Sequence, residues 1–166
     1  MEQNPLPVAL DDLDRRILDQ VQRDSSLTNQ ELAARVHASP PTCLRRMRRL
    51  VDSGVIARQV AIVAPERLGN TLTAIVEITL DVQAAEQMDA FEQAMAEEDA
   101  VLQCYRVSPG PDFVLLAQVP DMPAYHALVH RAFTAQANVR NVRTFFSVKR
   151  SKFETRIAVS GPATPA

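Results

Sequence analysis

The 166-residue sequence predicts an α+β chain in two parts, helices first and an alternating sheet second. Three observations carry this reading. Residues 11–54 hold helix-start and helix-stop residues around apolar positions spaced for helices. From residue 72 onward, stretches rich in β-branched residues alternate with two helical patterns in the order βαββαβ. Between the two parts, residues 64–70 carry Pro65 and Gly69, the punctuation of a linker.

Taking the elements in order, residues 1–9 contain two prolines and no periodicity, and are expected to be a flexible tail. Asp11 can cap a first helix whose Leu13, Ile17, Leu18 and Val21 form an apolar stripe, with Asp14 placing negative charge at the positive helix end. That helix should run to about Arg23. Thr28-Asn-Gln-Glu31 is a capping-box pattern that opens a second, shorter helix through Leu32, Ala33 and Val36. Only residues 37–39 separate it from a third helix.

That third helix has Ser39 as N-cap, Pro40 at the first helical position, and Gly54 where a left-handed exit is needed. Winding at roughly 100° per residue puts Pro40, Cys43, Leu44, Met47 and Val51 inward. Pro41, Thr42, Arg45 and Arg49 then face outward, with Arg46 and Arg48 flanking them. Two short helices, a tight turn and a basic second helix form the plan of a helix-turn-helix, whose second helix fits the major groove. Residues 55–63 are rich in β-branched side chains and read as a strand or wing. The first domain is therefore placed at 10–63.

In the second domain, at 71–156, residues 72–80, 101–107, 113–119 and 139–149 read as strands. Residues 84–98 and 122–135 read as helices, with Phe91, Met95, Tyr125, Leu128 and Phe133 inward. A turn is expected at 108–111. This order fits an antiparallel sheet with two helices on one face, the ferredoxin-like arrangement. In residues 74–80 one alternate set holds Ile75, Glu77 and Thr79 and the other Ala74, Val76, Ile78 and Leu80, so that a partly apolar face of the sheet is expected to be available for self-association. Residues 157–166 are expected to be a tail.

Composition narrows the function classes. The net charge of −2 conceals an uneven distribution. Residues 1–64 hold 9 basic and 8 acidic side chains, residues 65–137 hold 3 and 11, and residues 138–166 hold 6 and 1. No apolar run reaches the ~20 residues of a membrane span, and the N-terminus lacks the pattern of a signal peptide, so a cytoplasmic protein is expected. The 2 cysteines, Cys43 and Cys104, are too few for a disulfide framework. His126 and His130 are spaced i, i+4 without a third ligand, so neither a metal nor another cofactor is expected. No phosphate cradle, nucleophile elbow or acid–base pair suggests an enzyme.

Several segments together resemble the Lrp/AsnC family of bacterial and archaeal transcription regulators. They are Leu10-Asp-Asp-Leu-Asp-Arg-Arg-Ile-Leu18, Asn29-Gln-Glu-Leu-Ala33, Ser39-Pro-Pro-Thr-Cys-Leu-Arg-Arg46, Gly54-Val-Ile56, Pro65-Glu-Arg-Leu-Gly69, Cys104-Tyr-Arg-Val-Ser108, Asp112-Phe-Val-Leu-Leu116 and Val142-Arg-Thr144. The resemblance implies a DNA-binding winged helix-turn-helix joined to an effector-binding and oligomerising domain, called RAM in this family. Its implied partners are double-stranded DNA, a small effector such as an amino acid, and further copies of itself, in dimers and octamers. An architectural DNA-wrapping protein with little effector response is the alternative.

The DNA-binding residues expected on this basis are Thr28, Asn29, Ser39, Pro41, Thr42, Arg45, Arg46 and Arg49. By analogy with the family, Asp112 should meet an effector's ammonium group beside the turn at Gly110. Thr134, Ala135, Thr144, Phe145 and Phe146 are expected to line the same pocket. The sequence departs from the family pattern at this turn, where Pro109 stands in the usual glycine position and Gly110 comes one later. Asn138 and His37 likewise stand where the family often has glycine.

Overall fold

A computed structural model describes residues 8–69, 71–134 and 138–159. The chain divides into two compact units, one of Met1–Ile62 with Lys152–Ala166 and one of Val63–Ser151. The first contains α1 (Asp12–Val21), α2 (Asn29–Arg35) and α3 (Pro40–Asp52). The second contains β1 (Leu72–Leu80), α4 (Ala85–Ala96), β2 (Val101–Arg106), β3 (Phe113–Val119), α5 (Met122–Leu128) and β4 (Val139–Phe146).

Local chemistry explains where the three helices start. Asp11 and Asp14 form a reciprocal capping box at α1, as do Thr28 and Glu31 at α2. Ser39 caps α3 by accepting from the Thr42 N–H at 3.4 Å, with Pro40 in the first turn where its missing N–H costs nothing. Gly54, at φ +73°, supplies the left-handed exit from α3. Ile17, Leu18, Leu32, Ala33, Val36, Cys43 and Leu50 close the core of this unit.

The sheet runs β2-β3-β1-β4 with every pair antiparallel. Ala74, Val76, Ile78 and Leu80 of β1 and Phe113, Leu115, Ala117 and Val119 of β3 are buried among Phe91 and Met95 of α4 and Tyr125 and Leu128 of α5. The Phe91 and Phe113 rings meet at 4.6 Å. Each fully buried side chain of this size contributes about 1.5–3 kcal/mol. The alternate residues of β1 point away from these helices, and Ile75 there is 41% exposed beside its register partner Phe145.

Three expectations need correction. Residues 55–63 form no strand: Val55 and Ile56 pack on the first unit's core, whereas Val60 and Ile62 are exposed. A strand needs a neighbour to receive its ladder hydrogen bonds, and among the described residues none pairs with that segment. The last helix changes after Leu128 into a π-helical stretch, Val129–Thr134, and β4 ends at Phe146 rather than Lys149.

The C-terminal segment differs most from the sequence reading, which ended the second domain at 156 and continued as a tail. Residues 152–159 belong instead to the first unit. The Gln22 side-chain amide donates to the Ile157 carbonyl at 3.1 Å and accepts from the Ile157 N–H at 2.9 Å. One amide side chain thus pairs with both backbone polar groups of Ile157, and Val159 packs on the helical core beside it. Residues 1–7 and 160–166, including most of both expected tails, lie outside the described residues.

Candidate functional site

The geometry of α3 follows from the turn before it and the cluster behind it. The turn is closed by the Ala38 N–H donating to the Ala33 carbonyl at 3.0 Å, with His37 at φ +53° in the left-handed region. Asn29 Nδ2 donates to the Pro40 carbonyl at 2.9 Å and so fastens the start of α2 to the start of α3. Thr28 is similarly committed, since its hydroxyl donates to Glu31 Oε2 at 2.7 Å. These hydrogen bonds from Thr28 hold the Glu31 carboxyl below its usual pKa. The expected phosphate contacts of Thr28 and Asn29 therefore compete with internal bonds, beside a negative charge.

Behind the helix lies a carboxylate with no solvent exposure at all, Asp14. Arg46 Nη1 reaches it at 3.2 Å and reaches Asp11 Oδ2 at 2.6 Å. The Asp11 carboxyl is held below its ordinary pKa by the Asp14 backbone N–H and by Arg46. Arg49 Nη2 approaches Asp14 Oδ2 at 3.3 Å and donates to the Ala9 carbonyl at 2.6 Å. Arg46, expected to contact DNA, is therefore an internal residue, and Arg49 is half-committed to the same cluster. A buried carboxylate needs paired charge to offset its desolvation, and these two arginines supply it.

The outward face of α3 is consequently turned from the sequence expectation by about 65°, less than one residue's step around the helix. Cys43 and Leu50 are buried and Met47 half-buried, whereas Leu44 and Val51, expected inward, are exposed. The outer ridge consists of Pro41, Leu44, Arg45, Arg48 and Asp52, with Arg49 and Ser53 at its margin. Among the described residues no ion pair or hydrogen bond engages the Arg45 or Arg48 side chain. Arg48 was left out of the expected contact set. The missing signal was Asp14, which lies 32 residues from Arg46 in sequence and decides which arginines turn inward. Ser39 and Thr42 remain near the helix start, their hydroxyls bonded to each other at 2.8 Å.

In the sheet unit, the expected effector residues do not form one group. Asp112 is 8% exposed and its Oδ2 accepts from the Leu80 N–H at 2.7 Å. Its own N–H donates to the Ile78 carbonyl at 2.8 Å. Asp112 thus braces the turn of Gly110 against the end of β1, instead of standing exposed in solvent. Gly110 itself adopts φ +131°. Asn138 joins the same end of the sheet through a reciprocal pair with the Val82 backbone at 2.9 and 3.0 Å. Thr134 ends the π-helical stretch that leads to this end, its hydroxyl donating to the His130 carbonyl. Ala135 lies outside the described residues.

Thr144, Phe145 and Phe146 lie elsewhere. Thr144 and Phe146 pair with Val76 and Ala74, four and six residues before Leu80, which places them on the order of 13–20 Å along the sheet from the Asp112 brace. Thr144 hydrogen-bonds the Tyr125 hydroxyl, and Phe146 meets the Tyr125 ring edge-on at 4.9 Å. Phe145 points to the opposite face, where Arg143 lies 4.7 Å from its ring centre. One pocket within one chain cannot collect all of them. Among the described residues no group of three or more His, Cys, Asp or Glu is arranged to hold a metal ion, and no helix is long and apolar enough to cross a membrane.

Comparison with known proteins bears on both units. Residues 10–57 match the winged helix-turn-helix DNA-binding family, and residues 73–157 match the Lrp/AsnC ligand binding domain. The chain is 38% identical over 154 residues to an uncharacterized HTH-type transcriptional regulator of Haemophilus influenzae, covering 93% of this chain and 92% of that one. It is 35% identical over 150 residues to the leucine-responsive regulatory protein of Escherichia coli K12, covering 90% and 92%. Among solved structures, a transcriptional regulator of Neisseria meningitidis in complex with L-Met aligns with a TM-score of 0.83 at 30% identity, covering 90% of this chain and 96% of that one. An AsnC family regulator from Agrobacterium tumefaciens gives the same TM-score at 33% identity, covering 89% and 96%.

Proposed function

The chain belongs to the Lrp/AsnC family of transcriptional regulators, and from that premise we propose that it binds specific double-stranded DNA through the outer ridge of α3 and answers to an amino-acid effector. The family is one of regulators rather than enzymes. The observation that carries the DNA reading is the pair Arg45 and Arg48, exposed side by side on a capped helix that follows a tight turn. Arginine in that position can fork onto a guanine edge or grip phosphate, and Arg49 contributes when DNA outcompetes Ala9 and Asp14 for its guanidinium. Pro41 and Thr42 lie against the groove wall. Arg46 positions the helix and touches no DNA.

The effector reading rests on the ligand-binding domain match and on two relatives, one described as leucine-responsive and one solved with L-Met. Because the candidate residues are divided between two ends of the sheet, a complete pocket draws on more than one copy of the chain. Self-association to dimers, and from dimers to octamers, supplies those copies. The exposed sheet face with Ile75 and Phe145 is the apolar surface that such pairing would cover. Control then follows from linkage: an effector that favours one assembly changes DNA occupancy only by its differential affinity for that assembly.

Gel-shift titration at several salt concentrations tests the DNA reading. Arg45→Ala and Arg48→Ala should each lose about 1–3 kcal/mol where the residue reads a base, or lower the salt slope by about 1 where it grips phosphate. Unchanged binding by both variants refutes the docking. Thermal-shift screening against the twenty amino acids, with size determination of any hit, tests the effector reading. Footprints that spread without sequence preference would favour the architectural alternative.

A further inference from the structure

We propose that Leu44 is a specificity-determining residue that recognises the C5 methyl group of a thymine in the major groove; this rests on the reading of α3 as the DNA-contacting helix. Three observations point to it. Leu44 is 40% exposed, and it is absent from the apolar cluster that holds the helical unit together. Its neighbours on the helix surface are Pro41, one turn before, and Arg48, one turn after, so it stands within the outer ridge. It is the fifth of the 13 residues of α3, in the N-terminal half that enters a groove most deeply.

The chemistry of the ridge separates Leu44 from the residues around it. Arg45 and Arg48 have donors for guanine edges or phosphates, but a guanidinium gains nothing from a methyl group. Thymine is the base that presents a methyl in the major groove, and an apolar side chain is what recognises it. Val51 is also exposed, at 47%, but it lies in the last turn beside Asp52, whose carboxylate repels the phosphate backbone. Leu44 lies beside Arg45 and Arg48 on this ridge and has no acid beside it in sequence, so the same docking that seats Arg45 and Arg48 presents its isobutyl group to a base edge. Because it contributes nothing to the core cluster, its truncation leaves the fold intact.

The test uses the full chain and a duplex enriched by it from a random-sequence pool. Each thymine of the bound site is replaced singly by deoxyuridine, which removes only the methyl group, and binding is measured for wild type and Leu44→Ala. At one thymine position the wild type should lose about three- to tenfold in affinity. Leu44→Ala should bind the thymine and uracil duplexes equally, at the wild-type level for uracil, with an unchanged melting temperature. An undiminished thymine preference in Leu44→Ala overturns the inference, as does tolerance of uracil at every position by a wild type whose binding Arg45→Ala still weakens. Failure to enrich any duplex overturns the reading of α3 itself together with this inference.

Discussion

Arg46 on α3 and Asp14 on α1 form a pair at 3.2 Å in which the carboxylate is fully buried and the arginine side chain is 19% exposed. This contact fixes the rotation of α3 about its own axis. With Asp14 drawing Arg46 and Arg49 toward α1, Arg45 and Arg48 remain on the far side. The pair is therefore a positioning device whose value to function lies in which residues it turns outward.

Removing its acid should be costly. Asp14→Ala removes the buried partner of Arg46 and half of the α1 capping box while Asp11 still holds Arg46 at 2.6 Å, and is expected to destabilise the helical unit by about 1–3 kcal/mol. Denaturant titration followed by amide exchange should localise the loss to α1–α3 and leave the sheet protected. Arg46→Ala should weaken DNA binding in proportion to lost folding, without the salt-slope change expected of a phosphate contact.

His37 offers a change in the opposite direction. A non-glycine residue at φ +53° is strained, and glycine relieves that strain while losing some chain entropy on folding. His37→Gly should therefore raise stability by on the order of 0.5–1 kcal/mol, read as a higher denaturant midpoint at unchanged slope. A lower midpoint would show that the imidazole contributes more than its backbone costs.

The returning C-terminal segment makes a third expectation. Gln22 and Ile157 exchange two hydrogen bonds, and Arg156 stands 3.8 Å from Asp19. Ending the chain after Ser151, or substituting Gln22→Ala, should lower the melting temperature of the helical unit by several degrees, since 1 kcal/mol corresponds to about 4–8 °C in a unit of this size. Trypsin should also cut at Arg156 faster in Gln22→Ala than in the wild type.

Acid provides a fourth. Arg131 donates to both oxygens of Glu98, at 2.8 and 2.6 Å, and holds its carboxyl below the usual 4.5. A depressed carboxyl contributes stability that is fully present above the unfolded-state value and is lost as pH falls through the lower folded-state value. Urea midpoints of the sheet unit should therefore hold from pH 7 to about 5 and fall below about 4.5, with Glu98→Gln showing a shallower acid decline. Identical profiles for the two proteins would assign the acid sensitivity to other groups.

Much of the architecture was legible because its determinants are local. Asp11, Thr28 and Ser39 announce their helices through bonds spanning three residues, and β1 runs over the stretch of β-branched residues that announced it. The order βαββαβ follows from periodicity alone. The wheel of α3 was less legible because Leu44 and Val51 look like core residues to any count of apolar positions. Only Asp14 shows that the space they were assigned is filled by Arg46.

The arrangement of the candidate effector residues was legible only in part. Asp112 was expected to meet an effector's ammonium group beside a turn, but its bond to the Leu80 N–H depends on a register formed between strands far apart in sequence. Thr144 and Phe146 fall on one face and Phe145 on the other, at a distance from Asp112 that only strand pairing sets.

By itself, then, the sequence determined the two-part α+β plan, the capped helices and the basic reading helix, because caps, turns and periodicity act between near neighbours. Tertiary structure decided which arginines face outward, where the C-terminal segment ends, and how the candidate effector residues divide. Each of those depends on partners distant in sequence, 32 residues apart for Arg46 and Asp14 and 135 for Gln22 and Ile157, brought together only when burial of the core overcomes the entropy of closing such loops.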